Sequence, residues 1–319
     1  MVRSLVNRRD VLRAIGAAGA GFSIIGGLTR SVRAEPGHDT LAATKLRGAV
    51  SQVSGAGGNI VVLTGGDGLL LVDSGAPDAA KPLQALLAER FGAPVRVLFN
   101  THWHLEHTGG NDLIAAADPT IVAHENTRLW MSTRFYVDWQ ERRYAPRAAK
   151  AQPNKTFFSS DPQPLTLAFG AEQAVYGHLP GAHTDGDIYV QFPSSNVIAA
   201  GGAAVAGRYP ILDYSTGGWI GGLVDATQTL IDMADADTLI VPHAGPAVRR
   251  ADLKRQHSML EAVRERVEHL ALQGKGIDDI VAAGITKDFD AHYRGDVPRF
   301  IANIYRGLWW GSRLRGAVA

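Results

Sequence analysis

The chain has 319 residues, 45% apolar and 20% charged, with 15 prolines; this globular composition for one large domain or two small ones excludes disordered, collagen-like and low-complexity readings. It contains no cysteine, so disulfides, thiolate metal sites, iron–sulfur clusters and cysteine nucleophiles are ruled out, and 11 histidines are the only strong nitrogen ligands. The formal charge is +1, yet residues 1–34 hold six arginines and one acid while the other 285 carry 26 basic and 30 acidic groups, a mildly acidic body that argues against nucleic acid as partner.

Residues 1–34 read as an address. Arg8 and Arg9 precede an apolar, glycine-bearing run over 14–28, and Val32-Arg33-Ala34 offers a cleavage spacing. The run is shorter than the ~20 residues a membrane-spanning helix needs. The segment resembles a twin-arginine export signal, which implies transient contact with the twin-arginine export machinery and a periplasmic or extracellular mature protein.

In chain order, residues 46–53, 59–64 and 69–72 read as strands, the second and third joined by Gly65-Gly66-Asp67-Gly68. A helix is expected over 78–90, a buried strand over 95–99, another over 120–123 and a helix over 125–140. Residues 130–158 mix aromatics with arginines and contain Pro146 and Pro153. They read as an excursion covering one face, either a substrate lid or ordinary aromatic packing. Strands follow over 165–169, 173–179, 188–192 and 197–199, then a helix over 223–233, a strand over 238–241 and three helical segments. Hairpins and helical crossovers in both halves predict two sheets between helices, an α/β class, as one domain over 35–319 with a C-terminal helical extension.

Directly after the strand ending at Phe99 comes His102-Trp103-His104-Leu105-Glu106-His107. In extended chain His102 and His104 project to the same side, and Trp103 and Leu105 to the other. Four possible ligands in six residues can converge on one point. His183, in Pro180-Gly181-Ala182-His183-Thr184-Asp185-Gly186-Asp187, is the best third histidine. Three neutral imidazoles plus water make the open tetrahedral site of a catalytic zinc.

These motifs resemble the metallo-β-lactamase-fold hydrolases over roughly residues 46–250. That family carries His-x-His-x-Asp-His after a strand, a His-Thr-x-Gly-Asp loop, a bridging aspartate in a Gly-Asp pair and a final Pro-Gly-His-Gly-Pro loop. The resemblance implies an αβ/βα four-layer sandwich of two mixed sheets, with metals at one edge. It also implies that His102, His104 and His183 hold one metal.

Three departures touch the family's second metal: Glu106 replaces aspartate, Gly202 stands at the bridging aspartate, and in Pro242-His243-Ala244-Gly245-Pro246 the histidine falls one position early. The second site therefore reads as dismantled. His107 survives but alone cannot hold a metal ion, and His243 swings inward only if its loop is remodelled, otherwise facing solvent or packing locally; both stay secondary candidates as metal ligands. Restoring Glu106→Asp, Gly202→Asp and Ala244→His together is expected to rebuild that site.

Glu106 is the catalytic candidate, as general base, with metal binding, orientation of His107 or a non-catalytic supporting role as alternatives. Asp73 reads as support for the metal loops, and Asp213 and Tyr209 as structural. His38, His124, His178, His257, His269 and His292 read as ordinary surface or core residues. The leading expectation is an exported hydrolase with one Zn2+ per chain, acting on a small-molecule acyl substrate such as a lactam, lactone, ester or thioester. A degenerate member that binds metal or ligand without turnover is the alternative. An iron dioxygenase is disfavoured because Gly202 removes the expected carboxylate, and a nucleic-acid phosphodiesterase because it needs two metals and a basic surface.

Overall fold

The computed structural model describes residues 40–161 and 163–316. Residues 1–34, read above as an export signal, and His38 lie outside the described residues. The first sheet is built from β1 (Ala42–Arg47), β2 (Val50–Ala56), β3 (Gly58–Gly65) and β4 (Gly68–Val72), which form an antiparallel meander. The chain then crosses through α1 (Ala80–Phe91) to β5 (Val95–Phe99). Two short helices, α2 (Leu105–Thr108) and α3 (Asn111–Ile114), lead to β6 (Thr120–His124), parallel to β5.

Helix α4 (Glu125–Ser132) is followed by a small hairpin of β7 (Phe135–Val137) and β8 (Arg142–Tyr144), and then by β9 (Lys155–Phe157). Strand β9 pairs in parallel with β6 and completes a seven-stranded order β1-β2-β3-β4-β5-β6-β9. The second sheet comprises β10 (Leu165–Phe169), β11 (Glu172–His178), β12 (Ile188–Phe192) and β13 (Val197–Gly201). After α5 (Ile220–Met233) it is closed by β14 (Leu239–Pro242), parallel to β13. Helices α6 (Arg250–Leu272), α7 (Ile277–Ala282) and α8 (Val297–Gly316) end the described chain.

Three apolar layers hold these elements. Val61, Leu63, Leu70, Val72 and Phe99 of the first sheet meet Tyr176, Ile188, Val190, Phe192 and Val197 of the second. The other face of the first sheet, with Val62, Leu69, Leu71 and Leu98, packs on Leu83 and Leu87 of α1. The outer face of the second sheet, with Ile198 and Ile240, is covered by α5, α6 and α8 through Leu223, Leu230, Leu260, Val263 and Ile304. Each fully buried aliphatic side chain is worth about 1.5–3 kcal/mol, so alternation along the strands decides which face meets which layer. The result is the expected αβ/βα sandwich.

The local differences from expectation have local causes. Residues 46–53 are two strands, because the chain turns at Gly48, whose φ of +52° lies in the left-handed region. The helix expected over 125–140 stops at Ser132, and Thr133 is extended. Beyond it Phe135 stacks on Tyr144 (centroids 5.3 Å apart) and packs edge-on to Trp103 (4.9 Å). That aromatic cluster, centred on Trp103, Met131 and Val137, favours a hairpin over a continued helix. Among the described residues no helix is long and apolar enough to cross a membrane.

Candidate metal centre

The candidate site residues gather where parallel strands end. Asp73 follows β4, His102 and His104 follow β5, Gly202 follows β13 and His243 follows β14. Asp73 sits at φ +67°, and its buried carboxylate organises the first turn. Oδ1 accepts from the Thr101 backbone N–H (2.7 Å), and Oδ2 accepts from the Thr101 hydroxyl (2.7 Å) and from His107 Nδ1 (2.6 Å). Since the Thr101 hydroxyl proton goes to Asp73, its oxygen accepts from His102 Nδ1 at 3.0 Å. Both rings are thereby held as Nδ1–H tautomers, which turns Nε2 inward in each.

The other two rings are fixed in the same manner. His104 Nε2 donates to Asp213 Oδ2 (2.9 Å), which turns Nδ1 inward. His183 Nδ1 donates to the Ile211 carbonyl (2.7 Å), leaving Nε2 3.0 Å from His104 Nδ1. His102, His104 and His183 offer ligand atoms within 4.8 Å of one another, as expected. His102 Nε2 is buried without a hydrogen-bond partner. A buried polar atom costs free energy unless something engages it, so this orphaned lone pair between imidazoles fits a metal ion.

The structure brings His107 and His243 together. His107 is not isolated: its Nε2 lies 2.6 Å from His243 Nδ1, and His102, His107 and His243 form a second convergent trio. His243 faces inward because its turn is tied to the first sheet. The Asn59 N–H donates to the His243 carbonyl (2.8 Å), and the Asn59 side chain donates to the carbonyls of Pro242 (2.9 Å) and Gly245 (2.8 Å). Gln52 adds a bond to the Gly245 carbonyl at 2.9 Å.

Gly202 has a role beyond a missing carboxylate. A Cβ built there would lie 2.4 Å from His183 Cδ2 and 2.6 Å from Cγ. The His183 ring occupies the space that any larger residue would need, so an aspartate here has to displace that ring. This close approach counts against the expectation that the triple restoration rebuilds a second site.

Asp213, read from sequence as structural, reaches the centre through His104. Tyr209 does stay apart, donating to Asp290 Oδ1 at 2.7 Å. Glu106 Oε1 lies 3.4 Å from His104 Nδ1, and its side chain is 32% exposed, so it borders the centre from the solvent side. Burial, reinforced by neighbouring histidines, holds His102 well below the ordinary histidine range. Burial likewise brings His183 and His243 down to about 3. At His104 burial opposes charge but is outweighed by the Asp213 and Glu106 carboxylates, and its pKa rises to about 10.

The sequence matches the Metallo-beta-lactamase superfamily over residues 53–281. The chain belongs to that superfamily. The hydroxyacylglutathione hydrolase of Synechococcus sp. (strain JA-3-3Ab) is 30% identical over 132 residues, 41% of this chain and 43% of that protein. The hydroxyacylglutathione hydrolase of Gloeobacter violaceus (strain ATCC 29082 / PCC 7421) is 32% identical over 133 residues, with the same coverage of 41% and 43%. The chain thus spans less than half the length of these relatives. Among solved structures, a metallo-beta-lactamase from Pontibacter korlensis superposes with a TM-score of 0.55 at 20% identity, covering 69% of this chain and 99% of that one; a likeness at that identity shows the fold.

Proposed function

We propose that this protein is an exported, metal-dependent hydrolase with an altered second metal site. One zinc ion would be held by His102, His104 and His183, and the substrate is a small acyl compound: a lactam, lactone, ester or thioester. The observation that carries the reading is the buried, unpartnered Nε2 of His102 within a three-histidine set whose outward nitrogens, His102 Nδ1, His104 Nε2 and His183 Nδ1, are each engaged by the protein. Zinc, when bound, supplies Lewis acidity toward a carbonyl and toward water.

The chain's own groups supply the rest. Asp213 and the Ile211 carbonyl fix the tautomers of His104 and His183, and Asp73 fixes those of His107 and, through Thr101, of His102. Glu106 borders the centre at 3.4 Å from His104 and takes the proton of the attacking water, then returns it to the leaving group. The hydroxyacylglutathione hydrolases matched over part of the chain bear the name of an acyl hydrolase, which favours acyl chemistry. Export rests on Arg8, Arg9 and the apolar run behind them.

A second reading has its own observation: Gly202 offers no bridging carboxylate and has no room for one, as in a member that binds metal without turnover. Metal content per chain, measured beside hydrolysis of one substrate from each acyl class, separates the two. Bound zinc with turnover supports the hydrolase. Bound zinc without turnover on all four classes supports the second reading, and no bound metal overturns both.

A further inference from the structure

The β7–β8 hairpin touches the candidate metal centre through one side chain. Trp139, in the 3₁₀ turn between the two strands, donates its indole N–H to Asp213 Oδ1 at 2.8 Å. The other oxygen, Oδ2, accepts from His104 Nε2 at 2.9 Å and from the Thr216 hydroxyl at 2.7 Å. The Ser215 backbone N–H adds a fourth donor, to Oδ1 at 3.1 Å. A carboxylate has about four lone-pair sites, and this one, fully buried, has all four filled.

The hairpin tip is docked on the same turn by further bonds. The Asp138 backbone N–H donates to Ser215 Oγ (3.1 Å), and the Asp138 carboxylate accepts from the Tyr214 hydroxyl (2.5 Å) and from Arg306 on α8 (3.3 Å). Trp103, between the two first histidines, donates to Thr216 Oγ1 at 3.0 Å, so a second indole feeds the same carboxylate through one hydroxyl. The Asp213 backbone N–H in turn donates to the His183 carbonyl at 2.9 Å. The turn that receives the hairpin therefore carries contacts to two of the three histidines.

We propose that Trp139 is a positioning residue: its indole N–H latches the hairpin to Asp213, and Asp213 presents His104 Nδ1 to the metal, so that hairpin closure and ligand order are one event. Losing the indole bond leaves one lone pair of a buried carboxylate unfilled. Asp213 is then held by three donors instead of four, with Ser215 alone on Oδ1, and the carboxylate plane that orients His104 is less firmly fixed. Groups that orient a ligating histidine typically change metal affinity by about 10–100-fold when removed. The inference rests on the reading of His104 as a metal ligand.

Trp139→Phe keeps the aromatic packing beside His104 and removes only the donor. In a competition titration of zinc against a chromophoric chelator, it should bind metal about 10–100-fold more weakly than the parent. The Co2+-loaded variant should show a shifted ligand-field spectrum. Zinc should slow hydrogen exchange of the backbone amides over residues 135–144 in the parent and much less in the variant. Tyr136→Ala, an exposed change on the same hairpin, should leave all three readouts at parent values. If Trp139→Phe does not fold, Asp213→Asn is read instead: its amide nitrogen must face either the indole or the His104 N–H, so the same losses are expected.

Equal zinc affinity and an equal Co2+ spectrum in parent and variant overturn the latch while leaving the metal centre in place. A parent that binds neither metal overturns the ligand reading itself.

Discussion

His107 Nε2 and His243 Nδ1 lie 2.6 Å apart, two inward-facing nitrogens delivered from opposite sheets. Together with His102 they make a second trio beside the one formed by His102, His104 and His183. The two trios compete for one atom, because His102 Nδ1 is engaged by Thr101 and only Nε2 is free. Both trios cannot be complete at once.

The expected stoichiometry is therefore about one zinc per chain. His183→Ala should lower zinc affinity by more than about tenfold, since it removes a direct ligand. His243→Ala should leave one equivalent bound. His257, paired with Glu261 at 3.1 Å on α6, serves as the silent control. Elemental analysis of dialysed protein checks this, and two tightly held equivalents would show that Glu106, His107 and His243 build a working second seat.

A second expectation concerns Gly202. Even the single Cβ of Gly202→Ala would stand 2.4 Å from the His183 ring, closer than carbon atoms approach. His183 must move or the β13 end must shift. Gly202→Ala and Gly202→Asp should both bind zinc more weakly than the parent, by the same chelator competition, and the aspartate variant should gain no second equivalent. A tighter or doubled stoichiometry in Gly202→Asp would show that the ring yields and the carboxylate ligates.

These two cases mark what was legible in the sequence. The spacing of His102 and His104 after an apolar strand carries its own geometry, because side chains two apart in extended chain share a side. His183 follows from a polar loop between two strand patterns. The layers follow from alternation in β3, β4, β12 and β13. The inward turn of His243 does not, because it depends on Asn59 and Gln52, almost two hundred residues away in sequence. Asp213 and Trp139 are equally silent: neither lies at a recognisable spacing from the histidines, and only the folded chain brings 139, 213 and 104 together. The hairpin at 135–144 was hidden by helix-like spacing that the aromatic cluster overrides.

Export is checked in cells. Replacing Arg8 and Arg9 by lysine keeps the charge and removes the paired guanidinium groups, which lysine does not imitate. The precursor should accumulate in the cytoplasm, read by fractionation and immunoblot. Normal export of the double variant would overturn the assignment of residues 1–34.

The stacked pair of buried His124 and half-buried His178 makes a pH prediction remote from the metal centre. Their rings stack at 3.8 Å, with Ser159 Oγ lying 3.1 Å from His124 Nε2 and 2.8 Å from His178 Nδ1. The Asn126 N–H donates to His124 Nδ1, and His178 Nε2 donates to the Asp185 carbonyl. One proton order satisfies this chain, with both rings neutral. Burial, then the neighbouring His178, lowers the His124 pKa from 6.5 to about 4. The unfolded chain therefore takes up a proton in that window while the folded one does not, so the contribution is whole above 6.5 and lost as pH falls toward 4. The urea midpoint should drop across this range, and the drop should be smaller in His124→Gln. Parallel pH profiles for the two proteins would remove His124 as the cause.

Glu106 sets the mechanistic test. Its carboxylate borders the centre at 3.4 Å from His104 Nδ1 and stays one-third open to solvent, which suits a group that exchanges protons with water. It is also the one acid within the 102–107 segment. Glu106→Gln keeps the length and some hydrogen bonding while removing the base. Turnover on whichever acyl substrate the parent hydrolyses should fall by ~10²–10⁴, with zinc content nearly unchanged because the three histidines remain. Glu106→Asp shortens the side chain by one methylene and should give an intermediate rate. Loss of zinc in Glu106→Gln would make the carboxylate a ligand, and unchanged turnover would make it structural; either result removes it as the base.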